Sequence, residues 1–543
     1  MTATSPSDAA SAYAVLELDG NSLTVADALD IGRQRRRARL SPGAVDAIHA
    51  SRDLKLSLIA SEVPIYGVTT GFGDSAHRQI SPSKAGLLQQ NLLRMLGCGT
   101  GPAADAAVTR ITMLLRANCL AKGNSGVRLE VLDLLLALLE ADVLPIIPER
   151  GSCGASGDLV PLSYLGRALV GETEVSYRGA TREALEVLAE LELEPLTLEA
   201  KEGLALTNGT SFMSAFACLA VGAAEELADV VDLLTAMASE ALLGNRGHFN
   251  EFLFEQAKPH PGSVRSAANI RGLLAESGLA LDSEQIFEGG MKGHAFLELE
   301  RQVQDKYSIR CAPHVTGVLR DVLSWVGDWL NREINSSDDN PLFDAAAGRV
   351  QSGGNFYGGH MGQAMDSLKV ALANVCDLLD RQLELLVDEK FNAGLTPNLI
   401  PRFAAEDQQA GLHHGFKAMQ LCSSAMTAEA ISLCNPATVH SRSTECHNQD
   451  KVSMGTIAAR DARSIVELAQ NIAAVHLIAS AQALELRGLD LASPRTRAAH
   501  ALTREHVAFL GADRRMDTDI ESAVELIRSG MLSELVRNGG SAL

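Results

Sequence analysis

The residues with the most unusual chemical possibilities sit in one short run, Gly151-Ser152-Cys153-Gly154-Ala155-Ser156-Gly157-Asp158-Leu159. A small residue, then serine, then glycine is the minimum needed for a backbone self-reaction. The amide nitrogen of Gly157 can approach the carbonyl carbon of Ala155 only where neither residue carries bulk. Glycine lacks a Cβ and reaches backbone angles closed to other residues. Loss of water would close a five-membered ring, and loss of the Ser156 hydroxyl would leave an exocyclic methylene. The product, 4-methylidene-imidazole-5-one, is a strong electrophile of a kind that side chains do not offer and cofactors ordinarily supply. The plain alternative is an ordinary Ser/Gly turn followed by a helix capped at Ser156 or Asp158.

Either reading needs a loop of fixed shape. Pro145, Pro148, Gly151, Gly154, Gly157 and Pro161 break the backbone so often that 142–165 is expected to be a shaped loop. Apolar spacing predicts helices at 103–121 and 127–141 ahead of it. Further on, 211–243, 315–333, 358–389 and 451–486 read as long helices, several apolar on most faces, which predicts a helix-bundle core. With 46% hydrophobic, 21% charged and only 4% aromatic residues among 543, and Ala and Leu plentiful, the chain is expected to be mainly α. The expected organisation is an unstructured tail at 1–14, a loop-rich helical domain at 15–200, a long-helix bundle at 201–490 and a helical tail at 491–543.

A formal net charge of −20 argues against a nucleic-acid partner. The basic run Arg33-Gln34-Arg35-Arg36-Arg37-Ala38-Arg39 is the local exception, and it reads as a solvated surface segment. Nine irregularly spaced cysteines, with no CxxC pair, fit reduced thiols in a cytoplasmic protein. No signal peptide is legible in Met1 to Ala12. The longest apolar stretch, Phe212 to Ala224, falls short of the roughly 20 residues of a membrane span, so no membrane role is expected. Adjacent His413-His414 would not share a helix face and lack a spaced carboxylate, so no metal is expected, and no nucleotide cofactor either.

Other runs add to the central loop: Tyr66-Gly67-Val68-Thr69-Thr70-Gly71-Phe72-Gly73, Gln89-Gln90-Asn91-Leu92, Glu202 to Ser211 containing Asn208-Gly209-Thr210, Gln304-Asp305-Lys306-Tyr307-Ser308-Ile309-Arg310, Asp339-Asn340-Pro341-Leu342-Phe343, Gly353-Gly354-Asn355-Phe356 and His447-Asn448-Gln449-Asp450-Lys451. Together with GSCGASGDLVPLSYLG, and in this order, they resemble the histidine, phenylalanine and tyrosine ammonia-lyases and their aminomutase relatives. The resemblance runs from about residue 20 to 490.

The resemblance implies that Ala155, Ser156 and Gly157 form the electrophile and that the substrate amine adds to it. A base then takes a β-proton, and ammonia leaves an α,β-unsaturated acid. Tyr66 matches the family's catalytic tyrosine. A phenol titrates near ~10, so positive or helix-end fields would have to help it act as a base. Arg310 matches the carboxylate clamp, a task that suits a planar fork. Asn208 would contact electrophile and carboxylate, though a helix cap is its plainer reading. Gln304 and Tyr307 match residues that assist the amine and the prosthetic group, and Phe356 is expected beside it. Asp158 reads as structural, and Asn340-Pro341 as structural as much as chemical, its proline being expected at a helix boundary. The resemblance also implies a homotetramer.

Two places bear on the substrate. Met95-Leu96 stands where family members meet the substrate ring, and it matches none of the usual pairs. Leu96 agrees with the phenylalanine and tyrosine types, and Met95 offers no partner to an imidazole or phenol. Gln449 stands where histidine members usually carry glutamate. The expected activity is therefore elimination from phenylalanine or tyrosine. The alternatives are a histidine ammonia-lyase, an aminomutase that returns the ammonia to the β-carbon, and, from another class, an inactive helical scaffold.

Overall fold

The computed structural model describes residues 14–287, 290, 291, 293, 295–299 and 302–537. The expected unstructured tail therefore lies outside the described residues, except for Ala14, which opens a strand, Ala14–Leu18. Among the described residues the chain is mostly helical, and the few strands form four small sheets. Two compact units emerge, each gathering three stretches of chain. The first is 1–222, 326–366 and 436–463, and the second is 223–325, 367–435 and 464–543. Neither unit is continuous in sequence.

The long helices are Ser211–Ala241, Ala312–Glu333, Gly359–Val387 and Gly455–Arg487. Ser211–Ala241 is buried on nearly every face, as an all-round apolar helix must be. Gly455–Arg487 is the one helix among the described residues long and apolar enough to cross a membrane, and 78% of its apolar window is buried. Counting uninterrupted apolar residues had pointed to 212–224 and passed over it.

Two local readings are corrected. The basic run is not a segment whose charges all lie in water. Arg36–Leu40 is a strand paired in parallel with Ala14–Leu18. Arg36 pairs with Asp27, Arg37 with Glu140 at 2.7 Å and Arg39 with Glu17 at 2.5 Å. The shaped loop also ends earlier than expected, because a helix begins at Leu159 and runs to Leu169. Pro161 does not prevent this. The first helical N–H groups have no partner within the helix, so proline removes nothing there. Asn340-Pro341 is a cis peptide ahead of the strand Leu342–Asp344, away from any helix boundary.

Candidate active site

The turn at the heart of the loop is tight. Gly154 and Gly157 pair across it, and Ser156 sits at φ +50°. A left-handed non-glycine residue costs roughly 1–2 kcal/mol, so its surroundings must hold it. They do so from two sides. The Ser156 carbonyl accepts from Asn208 Nδ2 and from the Gly209 N–H, each at 3.2 Å. The Asp158 N–H donates to Gly209 O at 2.7 Å, and the Met454 N–H to Cys153 O at 3.0 Å. Glycine is obligatory at 157, because a Cβ there would stand 2.1 Å from Gly209 O. Gln449 Nε2 donates to the Ser156 hydroxyl at 3.0 Å.

Asp158 precedes the helix Leu159–Leu169 without capping it through its side chain. Its carboxylate instead meets the Met213 N–H at 2.8 Å, Ser152 Oγ at 3.0 Å and the Thr456 hydroxyl. It thereby ties the loop to the first turn of Ser211–Ala241 and to the start of Gly455–Arg487. Burial pushes its carboxyl up to about 6, against the pull of these three donors.

Asn208 ends the short helix Glu202–Thr207. The turn after it rests on a buried ion pair. Arg116 Nη1 donates to Asn208 O at 2.5 Å and to Ala205 O at 3.1 Å, while its Nη2 pairs with Asp338. Asp338 also accepts the Thr210 N–H at 2.8 Å. Asn208 Oδ1 is buried without a partner, and Asn208 lines the space beside Ser156.

That space is a cavity of about 460 Å³. Tyr66, Met95, Leu96, Ala155, Ser156, Gly157, Asn208 and Gln449, all singled out in the sequence, line it together. Leu92, Leu96 and Leu204 form its buried apolar wall, with Tyr66, Phe72, Leu159 and Val160 packed against them. Met95 is 65% exposed at the end of the helix Ala85–Leu96. Tyr66 Oη accepts the Gly73 N–H at 3.0 Å. Burial pushes the phenol's pKa up, Gly73 opposes that shift, and the Glu445 carboxylate adds to it. Among the described residues lining the cavity, none is lysine or arginine, so the positive field expected to help Tyr66 is not supplied there.

Four site residues stand elsewhere. Phe356 is half-buried and is not among the cavity's lining residues. Gln304, Tyr307 and Arg310 belong to the second unit. There Arg310 bonds Gln304 Oε1 and lies 4.6 Å from the Tyr307 ring centroid, with Tyr307 71% exposed. Glu445 was missed. It lines the cavity and accepts the Asp74 N–H at 3.1 Å. Its sequence signal is slight, an acid four residues before Gln449. Among the described residues, no group of three or more His, Cys, Asp or Glu side chains is placed to hold a metal ion.

Residues 23–505 match the aromatic amino acid lyase family. A histidine ammonia-lyase of Sorangium cellulosum (strain So ce56) is 40% identical over 528 residues, covering 94% of this chain and 97% of that one. A tyrosine ammonia-lyase of Cupriavidus metallidurans is 39% identical, covering 97% of this chain and 98% of that one. The crystal structure of a tyrosine aminomutase from Streptomyces globisporus superposes with a TM-score of 0.92 at 34% identity, over 98% of this chain and all of that one. The chain belongs to the aromatic amino acid lyase family. It is an enzyme of the carbon–nitrogen lyase class.

Proposed function

We propose that the chain eliminates ammonia from an aromatic L-amino acid, using an electrophile formed from Ala155, Ser156 and Gly157. The observation that carries this is the Ser156 turn, gripped at its carbonyl by Asn208 and Gly209 and at its hydroxyl by Gln449, and open to the cavity that Tyr66 lines. The glycine-lined turn fits a 4-methylidene-imidazole-5-one ring, which supplies an electrophile for the substrate amine.

The chain's own residues do the rest. Asn208 Nδ2 and the Gly209 N–H draw electron density from the Ser156 carbonyl, as donors aimed at developing charge do. Gln449 holds the hydroxyl that ring formation expels. Glu445 gives the cavity a carboxylate for an ammonium or an imidazole N–H. Tyr66 takes the β-proton. Since burial and Glu445 oppose its ionisation, it needs a cation that the cavity does not itself hold. Arg310 is the proposed carboxylate clamp and that cation, with Tyr307 and Gln304 beside it. The homotetramer is part of this reading, since a second copy would turn an exposed tyrosine–arginine pair into pocket lining.

Histidine is the first substrate to test, because most of the closely similar relatives are named histidine ammonia-lyases. The apolar Met95 and Leu96 favour phenylalanine or tyrosine as the second reading. Ultraviolet assay of purified protein with each of the three amino acids separates the readings. Urocanate formation supports the first and an arylacrylate supports the second. A β-amino acid as the main product points to an aminomutase, and no product from any of them overturns the proposal.

A further inference from the structure

The wall beneath the Asn208 turn holds a carboxyl group that none of the steps above uses. Glu333 ends the helix Ala312–Glu333, and it is half-buried. Thr210 Oγ1 stands 2.7 Å from Glu333 Oε1 and 2.8 Å from Asp338 Oδ2. A hydroxyl carries one proton and cannot donate to two carboxylates at once. Asp338 has a counter-ion in Arg116 and accepts from Thr210 N and the Cys119 thiol as well. The charged groups that act on Glu333 are Asp338, from the loop after its own helix, and Asp158, from the electrophile loop, and both are acidic. The proton count is met if Thr210 donates to Asp338 and Glu333 supplies a proton of its own.

We infer that Glu333 is a neutral carboxylic acid that donates to Thr210 Oγ1, and that the relay Glu333–Thr210–Asp338 holds the Asn208-Gly209 donors against the Ser156 carbonyl. Glu333 is thus a positioning residue, acting through Thr210 on a turn whose Nδ2 and N–H groups touch the reacting loop. Burial and the two acidic neighbours agree with this, pushing its carboxyl up to about 7. Ionised Glu333 would face Asp338 across a single hydroxyl and press the turn out of register.

The inference rests on the lyase reading for its kinetic arm only. Glu333→Gln keeps an N–H for Thr210 and cannot ionise. It is expected to retain kcat within about threefold of wild type, and the fall in kcat expected of wild type as Glu333 ionises is expected to be absent from it. Glu333→Leu, which leaves Thr210 Oγ1 without its donor, is expected to lower kcat about tenfold or more, with KM moving less. A second readout needs no turnover. Wild type minus Glu333→Gln in infrared difference spectra, at about pH 6, is expected to show the carbonyl band of one protonated carboxylic acid. Absence of that band overturns the inference, and so does a Glu333→Gln variant as impaired as Glu333→Leu. If wild type turns over no aromatic amino acid, the lyase reading fails, and the infrared band alone decides the state of Glu333.

Discussion

Ser156 is held by contacts from two distant parts of the chain, the Asn208-Gly209 turn and Gln449. Its left-handed backbone, its carbonyl held by two donors and its hydroxyl held by Gln449 have different origins in sequence. Ser156→Ala is expected to abolish turnover, since no hydroxyl remains to be lost, while circular dichroism retains the helical signal. Asn208→Ala removes one of the two carbonyl donors. Loss of a donor of this kind costs about 10²–10³ in kcat, and steady-state kinetics would read it. Much of the residue-level site was legible, because Tyr66, Met95, Leu96, Asn208 and Gln449 do converge on one cavity. Glu445 was not. It is placed by three consecutive left-handed residues, Glu445, Cys446 and His447, in a loop closed by the Thr444 N–H on Gln449 O at 2.9 Å. No propensity rule predicts such a conformation in three non-glycine residues, since tertiary contacts must impose it.

At the level of elements, the loop from 151 to 158 is a strained turn bolted to two helix starts through Asp158. Its glycines and prolines announced a shaped segment. They did not reveal where the segment ends, because Pro161 is compatible with a first helical turn. Nor could spacing show that the Asp158 carboxylate reaches the Met213 N–H, 55 residues on. Asp158→Ala would leave the Met213 N–H without its acceptor, while Ser152 keeps Gly157 O and Thr456 keeps Ser152 Oγ. At about 1–3 kcal/mol for each unsatisfied buried group, a lowered urea midpoint is expected. Gly157→Ala tests the turn from the other side. Its new methyl collides with Gly209 O at 2.1 Å, so the loop must shift and ring formation is expected to fail, leaving the two waters in place.

Across the whole molecule, apolar periodicity predicted the long helices within a few residues at most ends. Which residues form a compact unit was hidden, since each unit joins three distant stretches. Two acids beside the site, Asp158 buried and Glu333 half-buried, also give the molecule a pH signature. Asp158 and Glu333 are raised from 3.8 and 4.5 to about 6 and about 7. Between those values the folded chain binds more protons than the unfolded chain, so these groups make stability fall as pH rises through the window. Denaturation midpoints followed from about pH 4.5 to about 7 are expected to fall less steeply in Glu333→Gln than in wild type. The central claim, that this chain makes its own electrophile, is tested most directly by the intact mass of the purified wild-type protein. The mass is expected to lie two waters below that of the sequence, with the loss mapping to the peptide that holds Ala155, Ser156 and Gly157. A fully folded protein at the full sequence mass would contradict it.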